Sequence, residues 1–498
     1  MRTYTGKKVV VVGAGLGGLS AASRLAGAGF HVTMLESQAA VGGKLQRIEE
    51  HGFRFDRGPS TITMPELFAA PFQAADRRME DYLDMYRLDP ATRNVFADGS
   101  VVDLTGSMEA MEEQIASYSP EDAGSFRSFM KEAGRLDALA RSQFLNRLLL
   151  DWREKADPRL AAALMRVRPL TTLNKLLRRY FRHPNTLALF GRYATYIGSS
   201  PYQSPAIFAM LAQVEAVSGI YGVKGGTYRI AEALAQLARE QGADIRTSVK
   251  VNRIKVHAGR AAGVETDQGD FPADIVLANA DVLSTYRWLL PEHERPSMSD
   301  RRIAGYEPSL SGFVMLLGVQ RSYEQLLHHN VLFPGVYEEE FDSIFRRKQA
   351  PQDPAVYVCH PAYSEPDAAP SGGSSLFVLV NAPCLSAGWS WKENREAYAE
   401  RVTGLLAARG ICGLNEAKVK RLYTPDDLAR DTGAYRGAIY GISSNTAAQT
   451  FFRPANRSRD IEGLWFVGGT THPGGGTPIV TLSGQLVADR LIDLYGST

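Results

Sequence analysis

Residues 8–36 constrain this chain more than any other stretch. Residues 9–12 form an unbroken apolar run that reads as a strand buried on both faces; a glycine turn follows, then an alanine-rich helix and a second strand ending at Glu36. Gly13, Gly15 and Gly18 stand in GxGxxG spacing between that strand and that helix. The first permits the tight turn, the second lets backbone approach a pyrophosphate, and the third permits close helix packing. Backbone N–H groups of the turn, Ala14 and Gly17 among them, act with the positive end of the helix dipole to hold phosphate. Glu36 lies 18 residues after Gly18, where its carboxylate accepts both hydroxyls of an adenosine ribose. An acid there disfavours a 2′-phosphate, which argues against NADP. The plainer alternative is a glycine turn with no ligand.

A chain of 498 residues exceeds what one hydrophobic core serves, which predicts at least two lobes sharing one dinucleotide. With 44% apolar and 22% charged residues the composition is that of a folded enzyme, and a net charge of +2 is too mild to predict nucleic-acid binding. Cys359, Cys384 and Cys412 are the cysteines, without CxxC spacing, so neither a disulfide framework nor a cysteine zinc motif is expected and a reducing compartment is. Lys7 and Lys8 lead into the nucleotide-binding strand, not into a secretory leader. Residues 193–214 carry no charge, yet Gly198, Pro201 and Pro205 interrupt them, which argues against a membrane span.

Residues 65–220 read as helical and irregular, with a strand signal at 100–104. Residues 225–240 form an amphipathic helical pattern, and 243–281 alternate as strands. Strand-like runs recur at 311–319 and 374–383, while 365–375 reads as a surface loop. Residues 463–495 read as a strand, a glycine-rich turn and a closing helix.

Two further motifs narrow the ligand. Gly42, Gly43 and Lys44 follow the acid at once, and Asp56, Gly58 and Pro59 sit in FDRGPS. A buried flavin needs glycine-lined backbone close to its pyrophosphate and ring, although taken alone these are simply two turns. VVGAGLGGL, ESQAAVGGK and FDRGPS, with the distant GGT and FVGGTTHPGGGTP, resemble the flavin amine oxidase and phytoene desaturase superfamily. HHNVLF at 328–333, GAIYG at 437–441 and FFRPANRS at 451–458 resemble the bacterial carotenoid desaturases and the related carotenoid terminal oxidases. The resemblance runs essentially end to end.

It implies an α/β fold with a Rossmann-type FAD-binding domain split along the chain (1–64, 221–284 and 431–498). It also implies a helical membrane-facing region at 65–220 and a mixed-sheet substrate domain at 285–430. The implied cofactor is FAD. Gly13, Gly15, Gly18, Glu36, Gly43 and Lys44 would hold its ADP half, with Ala14, Gly17 and Gly42 in the same turns. Gly58 and Pro59 would approach the ring side, and Val251 would meet adenine through backbone atoms. Gly468, Gly469, Thr470, His472, Gly475, Gly476 and Thr477 would run along the ribityl chain and ring. Lys44 departs from the Arg of many relatives, keeping the charge and losing the bidentate fork. Gly469 stands where flavoproteins more widely place an acid.

Residues 141–182 hold eleven Arg and Lys against three acids, Asp151, Glu154 and Asp157, interleaved with Leu, Phe, Trp152 and Tyr180. Such a stretch suits an anionic membrane surface, and a solvated helix face is the plainer alternative. His328 and His329, adjacent on an expected strand, should point to opposite faces and so not share a metal. No metal centre is expected, nor a P-loop or a nucleophile elbow. His472 is the better candidate for ring contact, with a backbone-bonded loop histidine as its alternative. Asp281 and Arg436 have no assigned role.

The resemblance implies that an extended isoprenoid reaches the flavin through an apolar tunnel and gains one double bond by losing a hydride and a proton. The flavin carries the redox chemistry, and the protein positions the chain and excludes water. Oxidation of a terminal methyl to an aldehyde is the second reading, which HPGGGTPIVTLSG matches more closely. A soluble amine oxidase and a flavin-free carotenoid carrier represent other classes. The expected setting is peripheral, on the cytoplasmic side of a bacterial membrane, with homo-oligomerisation compatible.

Overall fold

The computed structural model describes residues 6–150, 154 and 156–496. Asp151, Trp152, Arg153 and Lys155 of the basic stretch therefore lie outside the described residues.

Five parallel strands form the first sheet, in the order Leu464–Phe466, Ile275–Ala278, Lys8–Val12, His31–Leu35 and Asp244–Arg246. Lys8–Val12 sits in the middle, which explains its uninterrupted valines. Val9 and Val11 face one core with Leu19, Leu25, Leu234 and Val487, and Val10 and Val12 face another with Ile254, Val264 and Phe466. A strand covered on both faces has no polar side to display. The helix Arg229–Glu240 buries Ile230, Leu234 and Leu237, the i, i+4, i+7 stripe of a helix laid on a sheet. The helices Leu16–Gly27 and Thr477–Tyr495 cross almost backbone to backbone, since a Cβ on Gly484 would lie 2.2 Å from the Gly17 carbonyl oxygen.

The second sheet has seven strands, ordered Val419–Tyr423, Ser311–Val319, Ser374–Ala382, Val356–Cys359, His329–Leu332, Thr92–Val95 and Val101–Leu104. All its pairs are antiparallel except His329–Leu332 with Thr92–Val95. Residues 65–220 thus supply strands besides helices: Val101–Leu104 matches the expected signal, whereas Met85–Leu88 and Thr92–Val95 do not. Segments such as Thr-Arg-Asn-Val lack apolar alternation and are held by their partners rather than by pattern. The helical part packs around Phe126, Phe129, Phe181 and Phe190, with Phe129 and Phe181 ring centroids 5.1 Å apart.

The expected surface loop at 365–375 holds for Pro366, Asp367, Ser371 and Gly372, which are exposed, and not for the rest. Glu365, Ala368, Ser374 and Ser375 are buried, and Arg54, Tyr86 and the Gly225 N–H all donate to the Glu365 carboxylate. A Pro/Gly/Ser-rich composition signals a turn and does not report its depth. Among the described residues no helix is long and apolar enough to cross a membrane.

Candidate active site

The two sheets meet at one cavity of about 740 Å³. Its first end is built from backbone. Gly13 adopts φ +95°, and a Cβ there would lie 2.8 Å from the Asn279 carbonyl oxygen, so no other residue fits without strain. Gly15 caps the helix Leu16–Gly27 with no side-chain bond, leaving early helical N–H groups to another acceptor. Gly476 opens the helix Thr477–Tyr495 in the same way. The Gly17–Gly484 crossing brings both helix N-termini to the cavity, whose wall includes Gly15, Gly17, Gly476 and Thr477.

Glu36 is 6% exposed beside this turn, and its carboxylate accepts the N–H groups of Ala14 (2.8 Å) and Gln38 (2.9 Å). Gly42, Gly43, Lys44, Gly58, Pro59 and Val251 also line the cavity, as do Gly468, Gly469, Thr470, His472 and Gly475. Ala14 and Gly18 do not. The Ala14 N–H is committed to Glu36, and Gly18 is pressed so closely on the turn that a Cβ would lie 2.6 Å from the Gly13 carbonyl oxygen. Both shape the turn from behind.

Lys44 donates from Nζ to the carbonyl oxygens of Ala438 (3.0 Å) and Ile439 (2.6 Å). Burial lowers its pKa, while Asp281 and Cys384 oppose that shift. Asp281 itself caps the helix Val282–Leu289 and accepts the Thr470 hydroxyl at 2.8 Å, tying the glycine-rich tail to the first sheet. His472 places Nε2 2.8 Å from the Phe144 carbonyl and 2.9 Å from that of Arg147, so this ring atom is engaged by backbone of the helical part. Arg436 is exposed and lies over the Tyr435 ring, outside the cavity wall.

Two buried arginines in the wall escaped the sequence reading. Arg453 donates to the Ser444 hydroxyl and to the carbonyl oxygens of Tyr440, Ile442 and Gly469, clamping two loops. Burial pushes its pKa down to about 10, against the pull of Asp281. FFRPANRS contains it, but only the partners, distant in sequence, disclose the clamp. Arg192 pairs with Glu215 at 3.0 Å, both almost fully buried, and donates to Tyr196 at 2.7 Å. Arg192 has no periodic or motif signal.

The other end of the cavity is mostly apolar, with Ile207, Phe208, Leu211, Val331, Leu379 and Phe451 in its wall and Arg192, Tyr196 and Asn381 among its polar members. One continuous space therefore joins a glycine-built cradle to a hydrocarbon-lined compartment.

The expectation for His328 and His329 does not hold. Only His329 belongs to the strand His329–Leu332, so period-two alternation does not reach His328; the ring centroids lie 4.5 Å apart. A ligand atom from each, and one from Cys359, all fall within 4.8 Å of one another.

Such a site and fold define a flavin-dependent oxidoreductase. The family model for flavin containing amine oxidoreductases matches residues 16–492, and the chain belongs to that family. FAD is its cofactor. The chain is 35% identical over 498 residues to a 4,4'-diapolycopene oxygenase of a Methylomonas species, covering 99% of each chain. It is 35% identical over 492 residues to a 4,4'-diaponeurosporene oxygenase of Staphylococcus haemolyticus, covering 97% of each. Among solved structures, an oxidoreductase from Methanosarcina mazei superposes with TM-score 0.62 at 18% identity, covering 97% of this chain and 100% of that one. A putrescine oxidase triple mutant gives TM-score 0.65 at 15% identity, covering 98% and 99%. These establish an α/β fold of the flavin amine oxidase type with mixed sheets.

The cradle fits FAD by its chemistry. It offers uncapped helix N-termini for phosphate, a buried carboxylate for ribose hydroxyls, and a turn whose glycines no side chain can replace.

Proposed function

We propose that this enzyme oxidises the terminal methyl group of an acyclic carotenoid to an aldehyde. The observation that carries this reading is the near end-to-end likeness to diapolycopene and diaponeurosporene oxygenases, set beside a cavity whose far wall is mostly hydrocarbon. Desaturation, the first reading from the resemblance to the carotenoid desaturases, takes second place on that ground. A soluble amine oxidase is less apt, because the compartment beyond the cradle offers an apolar chain more than it offers a cation.

FAD, when bound, supplies a two-electron acceptor, and the full change, R–CH3 + O2 → R–CHO + H2O, is a four-electron oxidation in which molecular oxygen is the co-substrate and the source of the aldehyde oxygen. Its phosphates would sit against the N–H groups of the turn from Gly13 to Gly17 and against the helix at Thr477, with its ribose hydroxyls on Glu36. Gly42, Gly43, Gly58, Pro59 and Val251 would bring backbone to its edges, and residues 468–476 would follow it towards the substrate. This assignment builds the cofactor domain from segments 1–64, 221–284 and 431–498. Lys44 and Arg453 hold the loops carrying residues 438–444 and 469 against the cradle. The apolar wall aligns the polyene and keeps water from the reacting carbon.

The substrate would arrive from a membrane surface. Around the helix Pro158–Arg166, Met165 is 77% and Leu170 is 90% exposed, flanked by exposed Arg166, Arg168, Lys175 and Arg178. Bare apolar side chains ringed by cations match an anionic lipid surface. A liposome flotation assay with Arg178, Arg179 and Arg182 changed to Ala should lose binding; unchanged flotation would remove this part.

The function is tested by incubating the FAD-loaded enzyme in liposomes with diaponeurosporene or diapolycopene and weighing the products. Terminal oxidation exchanges two hydrogens for one oxygen, whereas desaturation removes hydrogen alone. No change in either polyene would remove the carotenoid assignment.

A further inference from the structure

We infer that His328, His329 and Cys359 form a binding site for a zinc ion on the second sheet, behind the wall of the active-site cavity. His329 and Cys359 are register partners in the antiparallel pair His329–Leu332 and Val356–Cys359. Cross-strand partners project to the same side, about 5 Å apart at Cβ. His328 precedes the strand, and its carbonyl accepts the His360 N–H at 2.8 Å, which holds it beside the same end of the pair. All three residues are at most 8% exposed, and one ligand atom from each lies within 4.8 Å of the other two. Ligands around a tetrahedral zinc stand about 3.5 Å apart, so closure on the ion needs side-chain rotation and no backbone rearrangement.

The donor set selects the ion class. Two imidazoles and one thiol suit zinc, not the oxygen-seeking Mg²⁺ or Ca²⁺. The nearest carboxylates are already engaged: Asp56 by the N–H groups of Thr227 (2.7 Å) and Tyr228 (3.1 Å), Glu365 by Arg54, Tyr86 and the Gly225 N–H.

The surroundings supply the rest of a metal site. His328 Nδ1 lies 2.5 Å from the Ser364 hydroxyl and His329 Nδ1 lies 2.8 Å from the Tyr357 hydroxyl, the outer-shell bonds that fix a ligating imidazole's tautomer and orientation. His329 Nε2 is buried with no partner. His328 and Cys359 also border a chamber of about 30 Å³, room for one water as a fourth ligand. Tyr357 reaches Ser60 at 2.7 Å, and both line the active-site cavity. The ion therefore clamps two neighbouring strands and, through Tyr357 and Ser60, steadies the cavity wall.

The test uses the FAD-loaded full-length protein, incubated with Zn²⁺ or Co²⁺, passed over a chelating resin and measured by elemental analysis and absorption. About one zinc per chain should be retained, and cobalt should give a near-ultraviolet thiolate charge-transfer band. The double variant Cys384→Ala/Cys412→Ala should keep the band, whereas Cys359→Ala and His329→Gln should each cut retention at least about tenfold with flavin content as the check on folding. Should Cys359→Ala not fold, His329→Gln and the double variant still decide. No retained metal in the wild type, or a cobalt band that survives in Cys359→Ala or vanishes in the double variant, would overturn the proposal.

Discussion

The two ends of the cavity are built on opposite principles. At the cradle, glycines that no side chain could replace and two uncapped helix N-termini present backbone, with the buried carboxylate of Glu36 beside the turn. At the far end, Ile207, Phe208, Leu211, Val331, Leu379 and Phe451, drawn from distant segments, present hydrocarbon. Backbone geometry is intolerant, because a single methyl group meets a carbonyl. An apolar wall tolerates change so long as volume and polarity are kept. The cofactor is therefore specified residue by residue, and the substrate by the sum of many side chains.

Gly13→Ala should show the intolerance most strongly. Left-handed backbone alone costs about 1–3 kcal/mol, and the methyl would meet the Asn279 carbonyl, so FAD retention should fall on the order of tenfold to a hundredfold. Flavin absorbance after gel filtration reads this directly. Glu36→Ala removes a charged acceptor from two backbone N–H groups as well as from the ribose, and should weaken FAD binding by about 1.5–3 kcal/mol in a fluorescence titration. Full retention of FAD by either variant would break the contrast.

Arg453→Met should cost about 1–3 kcal/mol of stability by stranding the carbonyl groups of Tyr440, Ile442 and Gly469, read as a lower thermal midpoint with and without FAD. Leu379→Ala lies on the tolerant side. FAD affinity should stay unchanged, while kcat/KM for one polyene relative to another shifts by about tenfold or less.

The smallest effect concerns pH. Glu340, bonded to the Ala355 N–H and to Asn381 behind the apolar end, is buried, and burial raises its pKa to about 7 from an ordinary 4.5. The folded protein thus holds this proton where the unfolded chain has released it. The stabilisation is fully present below pH 4.5 and is lost as pH rises through 7. Relative to Glu340→Gln, the wild-type thermal midpoint should decline across that window; parallel curves would place the ionisation elsewhere.

The same asymmetry governs what the sequence discloses. Gly13, Gly15, Glu36, Gly43, Gly58 and Gly468–Gly469 are legible because each answers a local backbone need that few residues meet, and all of them line the cavity. The role of Asp281 is not legible in the sequence, since its partner Thr470 lies 189 residues away. Arg192 carries no signal, and FFRPANRS shows Arg453 without its role, because a buried cation is recognised by its acceptors and these come from other segments. His328 precedes the strand His329–Leu332, so the alternation of a strand does not set the direction of its ring. The strands Met85–Leu88 and Thr92–Val95 were missed because sheet partners, not their own pattern, hold them.

The central claim is that cradle and hydrocarbon compartment are one space shared by cofactor and substrate. It is tested most directly by adding diaponeurosporene in detergent to the FAD-loaded enzyme without oxygen and recording the flavin spectrum, with Leu379→Trp as the blocked form. The flavin bands should shift saturably in the wild type and not in Leu379→Trp, with FAD affinity equal in both. A wild-type spectrum that polyene leaves unmoved, or a shift that persists undiminished in Leu379→Trp, would contradict it.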